Sequence, residues 1–318
     1  MSDDNATTRN VIVRSMRHES DGVISLELEA LEGPLPPWQP GAHVDIVVGD
    51  GTTRQYSLCG PADARTYRIG VLREPDGRGG SAHVHTSVRP GDRVELKGPR
   101  NHFALESAPV YRLVAGGIGV TPILAMAAHL EAQGSDWKLF YAGRSRSTMA
   151  FIAELEAYGD KVVFSADDEG ARLDLGAVVA DAPADALWYA CGPSGLLAAL
   201  DETLVAAGRG DNLRTELFAV PVSDEPAAAT DGFSVELRAS GMTLQVPSDR
   251  SILEVVTEAG IDVMHDCEEG ICGSCETKVL DGEIDHRDYV LTNQEKAKGD
   301  CMMVCVSRAN CPVLVLDL

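Results

Sequence analysis

Cys267, Cys272 and Cys275 stand in a C-x4-C-x2-C run, and Cys305 follows after 29 intervening residues. Six of the 8 cysteines lie beyond residue 266, so this end of the chain has to fold around its thiols. The start, Met1 to Asn10, is polar and lacks the basic-then-apolar layout of an export signal. In such a chain clustered thiols point to metal rather than to disulfides. A tight loop can wrap a metal group and supply three thiolates, and the fourth must arrive from a separate element. Gly270 and Gly273 let that loop bend close and aim N–H groups inward.

C-x4-C-x2-C with a distant fourth cysteine matches the plant-type ferredoxin pattern, in which two irons take two thiolates each. A four-cysteine zinc site usually shows two C-x2-C pairs, and here the second pair is missing. Cys267, Cys272, Cys275 and Cys305 are therefore expected to hold a [2Fe–2S] cluster. Cys301 could in principle replace Cys305, but the longer separation is the one the ferredoxin pattern carries. Cys59, Cys301 and Cys311 are read as non-ligands, small residues of the interior.

The 318 residues suit two or three domains. Up to residue 107, short alternating stretches such as Val23–Leu28, His43–Val48 and Tyr67–Leu72 are separated by Gly/Pro turns, which predicts a β-barrel. From 108 to 222 the rhythm changes. Tyr111–Ala115, Lys138–Tyr141, Lys161–Ser165 and Ala186–Ala190 read as strands. Pro122–Gln133, Met149–Tyr158 and Ser194–Ala207 read as helices. Strands alternating with helices predict a parallel sheet of the nucleotide-binding kind. Val222–Asp231 is polar and small, a linker, and the third block covers 232–318. It opens with a hairpin of Phe233–Leu237 and Thr243–Val246, then a helix over Ser251–Ala259 with Ser248 or Asp249 available to cap it.

Arg54-Gln55-Tyr56-Ser57 follows a strand and resembles the R-x-Y-S/T flavin motif of the ferredoxin–NADP reductase superfamily. The resemblance implies that Tyr56 packs on the isoalloxazine, Ser57 contacts the ring near N5, and Arg54 balances phosphate charge. These roles suit an aromatic face and a planar guanidinium. Val71, Leu72 and Arg73 resemble the next flavin-lining strand. Gly77-Arg78-Gly79-Gly80-Ser81 fits a phosphate-binding turn opening a helix, where bare backbone N–H groups favour an anion. The run Gly79-Gly80-Ser81-x-x-Val84 resembles the phthalate dioxygenase reductase type, which includes vanillate demethylase reductases and uses FMN.

Leu113 to Pro122 reads strand, glycine turn, helix start. It resembles the superfamily's G-G-x-G-x-T-P loop rather than the G-x-G-x-x-G of dehydrogenases. Gly116, Gly117, Gly119, Thr121 and Pro122 are thus expected at the pyrophosphate. Arg144-Ser145-Arg146 follows the next strand and is implied to meet the adenosine ribose. Two arginines suggest a 2′-phosphate and NADPH, yet phthalate-type reductases carry a similar R-S-R and use NADH, which is the expectation here. Cys191-Gly192-Pro193 resembles the turn beside the nicotinamide, and Phe218 the aromatic that covers the flavin. A buried cysteine before a Gly-Pro turn and a core phenylalanine at a strand end are the plainer alternatives.

The resemblance covers about residues 9–318. It includes Asp288-Tyr289-Val290-Leu291-Thr292 with Glu295, and Cys305-Val306-Ser307-Arg308-Ala309. It implies a six-stranded antiparallel flavin-binding barrel, an α/β nucleotide-binding domain and a C-terminal β-grasp ferredoxin domain. Hydride transfer needs no catalytic side chain, because the cofactors carry that chemistry. A flavin accepts two electrons from NADH and can release them singly to a one-electron cluster. The implied partner is a Rieske non-haem iron oxygenase acting in aromatic hydroxylation or O/N-demethylation, with this chain monomeric and cytoplasmic. The alternatives are a reductase for a cytochrome P450, or an iron–sulfur redox sensor. A net charge of -22, from 49 acidic against 27 basic residues, argues against nucleic acid and anionic membrane and fits a basic docking face.

Overall fold

The computed structural model describes residues 8–48, 51–61, 65–75, 79–170, 172–219, 232–265, 267–291 and 293–318. The linker expected over Val222–Asp231, with Gly77 and Arg78, lies outside them. Two compact units result, Met1–Glu216 and Leu217–Leu318.

The first unit contains two sheets. Strands β1 (Arg9–Ser20), β2 (Val23–Ala30), β3 (His43–Val48), β4 (Thr52–Ser57), β5 (Thr66–Leu72) and β6 (Arg93–Arg100) pair antiparallel in the order β4-β3-β6-β1-β2-β5. Its two edge strands meet where Leu58, just past β4, bridges Ile69 of β5, which closes the barrel. Closure removes the exposed edges that an open sheet would leave. Alternate residues turn inward, so Val11, Val13, Leu28, Val44, Ile69 and Val71 share one buried core. Burying each such side chain contributes about 1.5–3 kcal/mol. Helix α1 (Gly80–Ser87) packs its Val84 into the same core, as does Val88 just after it.

The second sheet is parallel. It is built from β7 (Val110–Gly116), α2 (Val120–Ala132), β8 (Asp136–Gly143), α3 (Ile152–Glu156), β9 (Val162–Ala166), α4 (Leu175–Asp181), β10 (Leu187–Cys191), α5 (Ser194–Ala206) and β11 (Leu213–Glu216). The order β11-β10-β7-β8-β9 means that the chain grows outward from β7 and then crosses back to its other flank. Connections therefore diverge above β7 and β10, the place where open α/β sheets bind ligands. Leu113, Val114 and Ala115 are all fully buried, as expected of a strand covered on both faces. Helix α2 is buried nearly all round, with Ala125 in the barrel core and Ile123 in the core of the parallel sheet, so it ties the two layers together. The helix expected over Met149–Tyr158 is shorter, because Phe151 takes a left-handed φ of 60° and starts α3 only at Ile152.

The second unit holds β12 (Phe233–Leu237), β13 (Met242–Val246), α6 (Ile252–Glu258), β14 (Glu276–Asp281), β15 (Ile284–Asp285), α7 (Asn293–Lys298), β16 (Cys301–Met303), β17 (Arg308–Ala309) and β18 (Val313–Leu316). Sheet order β13-β12-β18-β14-β16, with β12 and β18 parallel, is the β-grasp arrangement. Ser251, rather than Ser248 or Asp249, caps α6. Its hydroxyl accepts from Glu254 N–H at 3.1 Å while the Glu254 carboxylate accepts from Ser251 N–H at 2.7 Å. Among the described residues no helix is long and apolar enough to cross a membrane.

Candidate functional site

Strand β4 carries Arg54, Tyr56 and Ser57 to the end of the barrel beside α1. A side chain at Gly80 would place its Cβ 2.6 Å from Arg54 Nε, so the arginine lies directly across the start of that helix. Gly79, at the cap, has φ 85° and open space in front of it. The Arg54 side chain thus lies beside a bare helix N-terminus, with its Nη1 donating to the Thr53 carbonyl at 2.8 Å, and guanidinium and helix N-terminus are the kinds of donor an anionic phosphate needs. Ser81 Oγ accepts from Glu74 N–H at 3.0 Å and tethers the turn. Tyr56 is half-buried, and burial pushes its phenol up to about 12. Of the lining strand, Val71 turns its side chain into the barrel core, Leu72 is half-buried and Arg73 is exposed. Val71 can therefore meet a ligand only through its backbone.

Above the parallel sheet, two turns lie against each other. A Cβ at Gly119 would sit 2.3 Å from the Cys191 carbonyl oxygen, and one at Gly192 would sit 2.9 Å from Gly116 Cα. Gly116 has the same need, with Pro193 Cδ at 2.6 Å. These glycines close one loop on the other. Gly117 differs: its φ is 54° and no atom stands within 4 Å, so its face is free for a ligand. Tyr141 OH donates to the Gly117 carbonyl at 3.1 Å and accepts from Ala150 N–H at 3.0 Å, which fixes the turn. Thr121 is buried, donates to the Ile118 carbonyl at 3.0 Å, and sets its methyl against Gly70 of the barrel. Pro122 sits in the first turn of α2, where its missing N–H costs nothing. The Cys191 thiol is fully buried and held far above the usual thiol range by that burial, so it is inert. Arg144 is exposed and Ser145 is half-buried at the end of β8.

Glu216 joins these two halves, and the sequence motifs assign it no role. It ends β11 beside Cys191 in register, and Ser57 Oγ donates to its Oε2 at 3.5 Å. The two partners are 159 residues apart, so only the fold brings them together. Glu216 is half-buried, and enclosure of its carboxyl pushes it up to about 8. The available signal was its place directly before Leu217-Phe218. Phe218 itself falls in the second unit, 43% exposed.

In the second unit the cysteine loop follows α6, with Gly270 and Gly273 at φ 71° and 76°. The four thiols gather as two pairs. Cys275 Sγ lies 3.1 Å from Cys305 Sγ, and Cys267 hydrogen-bonds Cys272. Backbone N–H groups of Glu269 and Ser274 donate to the sulfurs of Cys267 and Cys272, at 3.3 and 3.5 Å. In each pair one thiol is made more acidic by its partner's hydrogen bond, Cys272 by Cys267 and Cys275 by Cys305. Two thiol pairs ringed by N–H donors fit two irons with two thiolates each. Cys301 stands apart on β16, opposite Lys278, with its titration governed by burial and by Glu276 and Asp300. Cys59 is buried in the core, whereas Cys301 and Cys311 are only half-buried.

Residues 235–310 match the model of the 2Fe-2S iron-sulfur cluster binding domain family. The chain is 43% identical over 310 residues to phenoxybenzoate dioxygenase subunit beta of Ectopseudomonas oleovorans, covering 96% of each. It is 43% identical to vanillate O-demethylase oxidoreductase of Pseudomonas sp. strain HR199, covering 97% of this chain and 99% of that one. Among solved structures, phthalate dioxygenase reductase aligns over 98% of both chains with 37% identity and a TM-score of 0.70. An intact type IV self-sufficient cytochrome P450 monooxygenase aligns over 98% of this chain with 42% identity and a TM-score of 0.92. The present chain spans 41% of that larger protein.

Proposed function

This chain belongs to the family of phthalate dioxygenase reductase and vanillate O-demethylase reductase, and from that premise we propose that it passes electrons from NADH through FMN and a [2Fe–2S] cluster to a Rieske non-haem iron oxygenase. We assign FMN to residues 1–107, the nicotinamide nucleotide to 108–222 and the cluster to 232–318. The observation that carries the reading is the Ser57–Glu216 contact beside Cys191, which joins the flavin strand to the nicotinamide turn.

The residues divide the work as follows. Arg54 and the α1 N-terminus hold the flavin phosphate, and Tyr56 and Ser57 orient the ring. The Gly117 face and the start of α2 hold the dinucleotide phosphates, and Cys191–Pro193 backs the nicotinamide. Packing of Gly116 and Gly119 on the opposite turn keeps this edge closed and aligned, which is the protein's share of a hydride transfer. Bound flavin supplies the conversion of one hydride into two single electrons. Cys267, Cys272, Cys275 and Cys305 hold the cluster, and no side chain acts as nucleophile.

A second reading has its own support. A P450 monooxygenase carries a segment that matches nearly this whole chain, so a haem acceptor is the alternative to a Rieske centre. Purified protein decides both points. Released flavin should have the mass of FMN, and FAD would overturn that assignment. NADH-driven reduction of a purified Rieske oxygenase, with no reduction of a P450, supports the first reading, and the reverse result supports the second.

A further inference from the structure

At the C-terminal edge of the parallel sheet, β7, β8 and β9 end side by side. Ala142 on β8 pairs with Gly116 on β7, and Ala166 on β9 pairs with Gly143. Arg144–Arg146 therefore leaves the sheet next to the Gly117 turn, and Asp167–Glu169 leaves it next to Arg144. Asp168 N–H donates to the Arg144 carbonyl at 3.1 Å and binds the two segments together. In sheets of this kind such an edge meets the 2′ position of the adenosine ribose. A carboxylate there suits a 2′-hydroxyl, and an arginine suits a 2′-phosphate.

The two arginines alone favour a phosphate, but their surroundings oppose it. Arg146 Nη2 donates to Glu156 Oε1 of α3 at 2.8 Å, and its guanidinium lies 5.0 Å from the centre of the Phe164 ring. Ring and carboxylate together set the direction in which that guanidinium points. Arg144 is exposed but emerges beside Asp167, Asp168 and Glu169. A 2′-phosphate brings close to two negative charges into this group of carboxylates, whereas a 2′-hydroxyl brings none.

We propose that Glu156 sets the dinucleotide selectivity: by engaging Arg146 it withholds that guanidinium from a 2′-phosphate and biases the site toward NADH. The proposal rests on the nicotinamide assignment made above. Glu156 acts through Arg146 and is thus a positioning residue rather than a catalytic one.

The test uses the intact, cofactor-loaded protein, with kcat and KM for NADH and NADPH and inhibition by 2′-AMP and 5′-AMP. Glu156→Gln should raise the NADPH-to-NADH ratio of kcat/KM about threefold, the modest size that a solvent-exposed ion pair supports. The gain should lie in the KM for NADPH rather than in kcat, and 2′-AMP should bind more tightly while 5′-AMP does not. Added salt should shrink the gain, since the screening length is about 8 Å at physiological ionic strength. The double variant Glu156→Gln/Arg146→Ala should lose it. An unchanged ratio with unchanged 2′-AMP inhibition overturns the proposal, as does a gain that survives Arg146→Ala. A wild-type preference for NADPH would instead overturn the nicotinamide assignment itself.

Discussion

Arg68 and Glu154 are joined by two hydrogen bonds, 2.7 and 2.8 Å long, that run from barrel strand β5 to helix α3 of the parallel-sheet layer. The same guanidinium donates to the Cys59 carbonyl at 2.8 Å and lies 5.3 Å from the Phe151 ring centre. Two residues on, Gly70 leaves room for Thr121 and Phe151. At the β1–β2 turn, Asp21 N–H donates to the Ser147 carbonyl at 2.9 Å and Ser20 Oγ donates to that of Thr148 at 3.2 Å. These contacts fix β5 and the β1–β2 turn of the barrel against the segment that follows Arg144–Arg146.

Removing the fork should loosen that alignment. Hydrogen bonds to charged groups contribute about 1.5–3 kcal/mol, and this pair is only partly buried, so Arg68→Ala should cost about 1–2 kcal/mol. For a unit of this size that lowers Tm by a few degrees, roughly 2–4 °C per kcal/mol. The rate of flavin reduction by NADH, read in a stopped-flow instrument, should fall further than the stability loss explains. The exchange Arg68→Glu/Glu154→Arg should recover part of that rate. Equal rates in wild type and Arg68→Ala would reduce the pair to a surface ornament.

Glu216 makes the first unit sensitive to pH. Its carboxyl is raised from 4.5 to about 8 by burial, so the folded state keeps a proton that the unfolded chain has already lost. The associated stability is complete below about 4.5, drains as pH rises, and is gone once pH has passed about 8. Tm should therefore fall across that window, and Glu216→Gln should flatten the fall. The same substitution should remove an inflection near 8 from the pH profile of flavin reduction by NADH. A wild-type inflection that persists in Glu216→Gln would belong to another group.

Local patterns exposed most of the architecture, and contacts distant in sequence exposed least. Leu113-Val114-Ala115 before a glycine turn reads as a buried parallel strand because both faces are apolar, and the structure agrees. The C-x4-C-x2-C spacing brings its thiols together because a loop that short leaves few alternatives. Ser57 and Glu216 could not be paired from sequence, since their proximity depends on how two sheets stack. The cap of α6 lies at Ser251, two or three positions beyond Asp249 and Ser248. Ser248, Asp249 and Ser251 can all accept from a backbone N–H, and only Glu254 answering back to Ser251 selects between them.

The glycine turn separates into two kinds of position that one motif cannot distinguish. Gly119→Ala would drive a Cβ into the Cys191 carbonyl oxygen, so the two turns must part. Thermal stability should drop sharply, with weaker binding of NADH as a consequence. Gly117→Ala meets no atom and carries only the penalty of φ 54°, about 1–2 kcal/mol. It should keep the fold and raise the KM for NADH by crowding the open face. Melting curves and KM values for both variants test the division, which fails if Gly119→Ala melts like wild type.

Cys305 and Cys301 offer the sharpest contrast in the second unit. Cys305 stands 3.1 Å from Cys275 and completes the second thiol pair, while Cys301 lies on β16 opposite Lys278. Cys305→Ser should lose the [2Fe–2S] electron paramagnetic resonance signal and most bound iron, yet keep NADH-driven flavin reduction, because the residues assigned above to nicotinamide and flavin, Phe218 apart, lie in the other unit. Cys301→Ser should keep the signal and the iron. A normal signal in Cys305→Ser together with its loss in Cys301→Ser would move the fourth ligand to Cys301. Serine preserves the shape of the side chain, so the outcome reports on the thiolate rather than on packing.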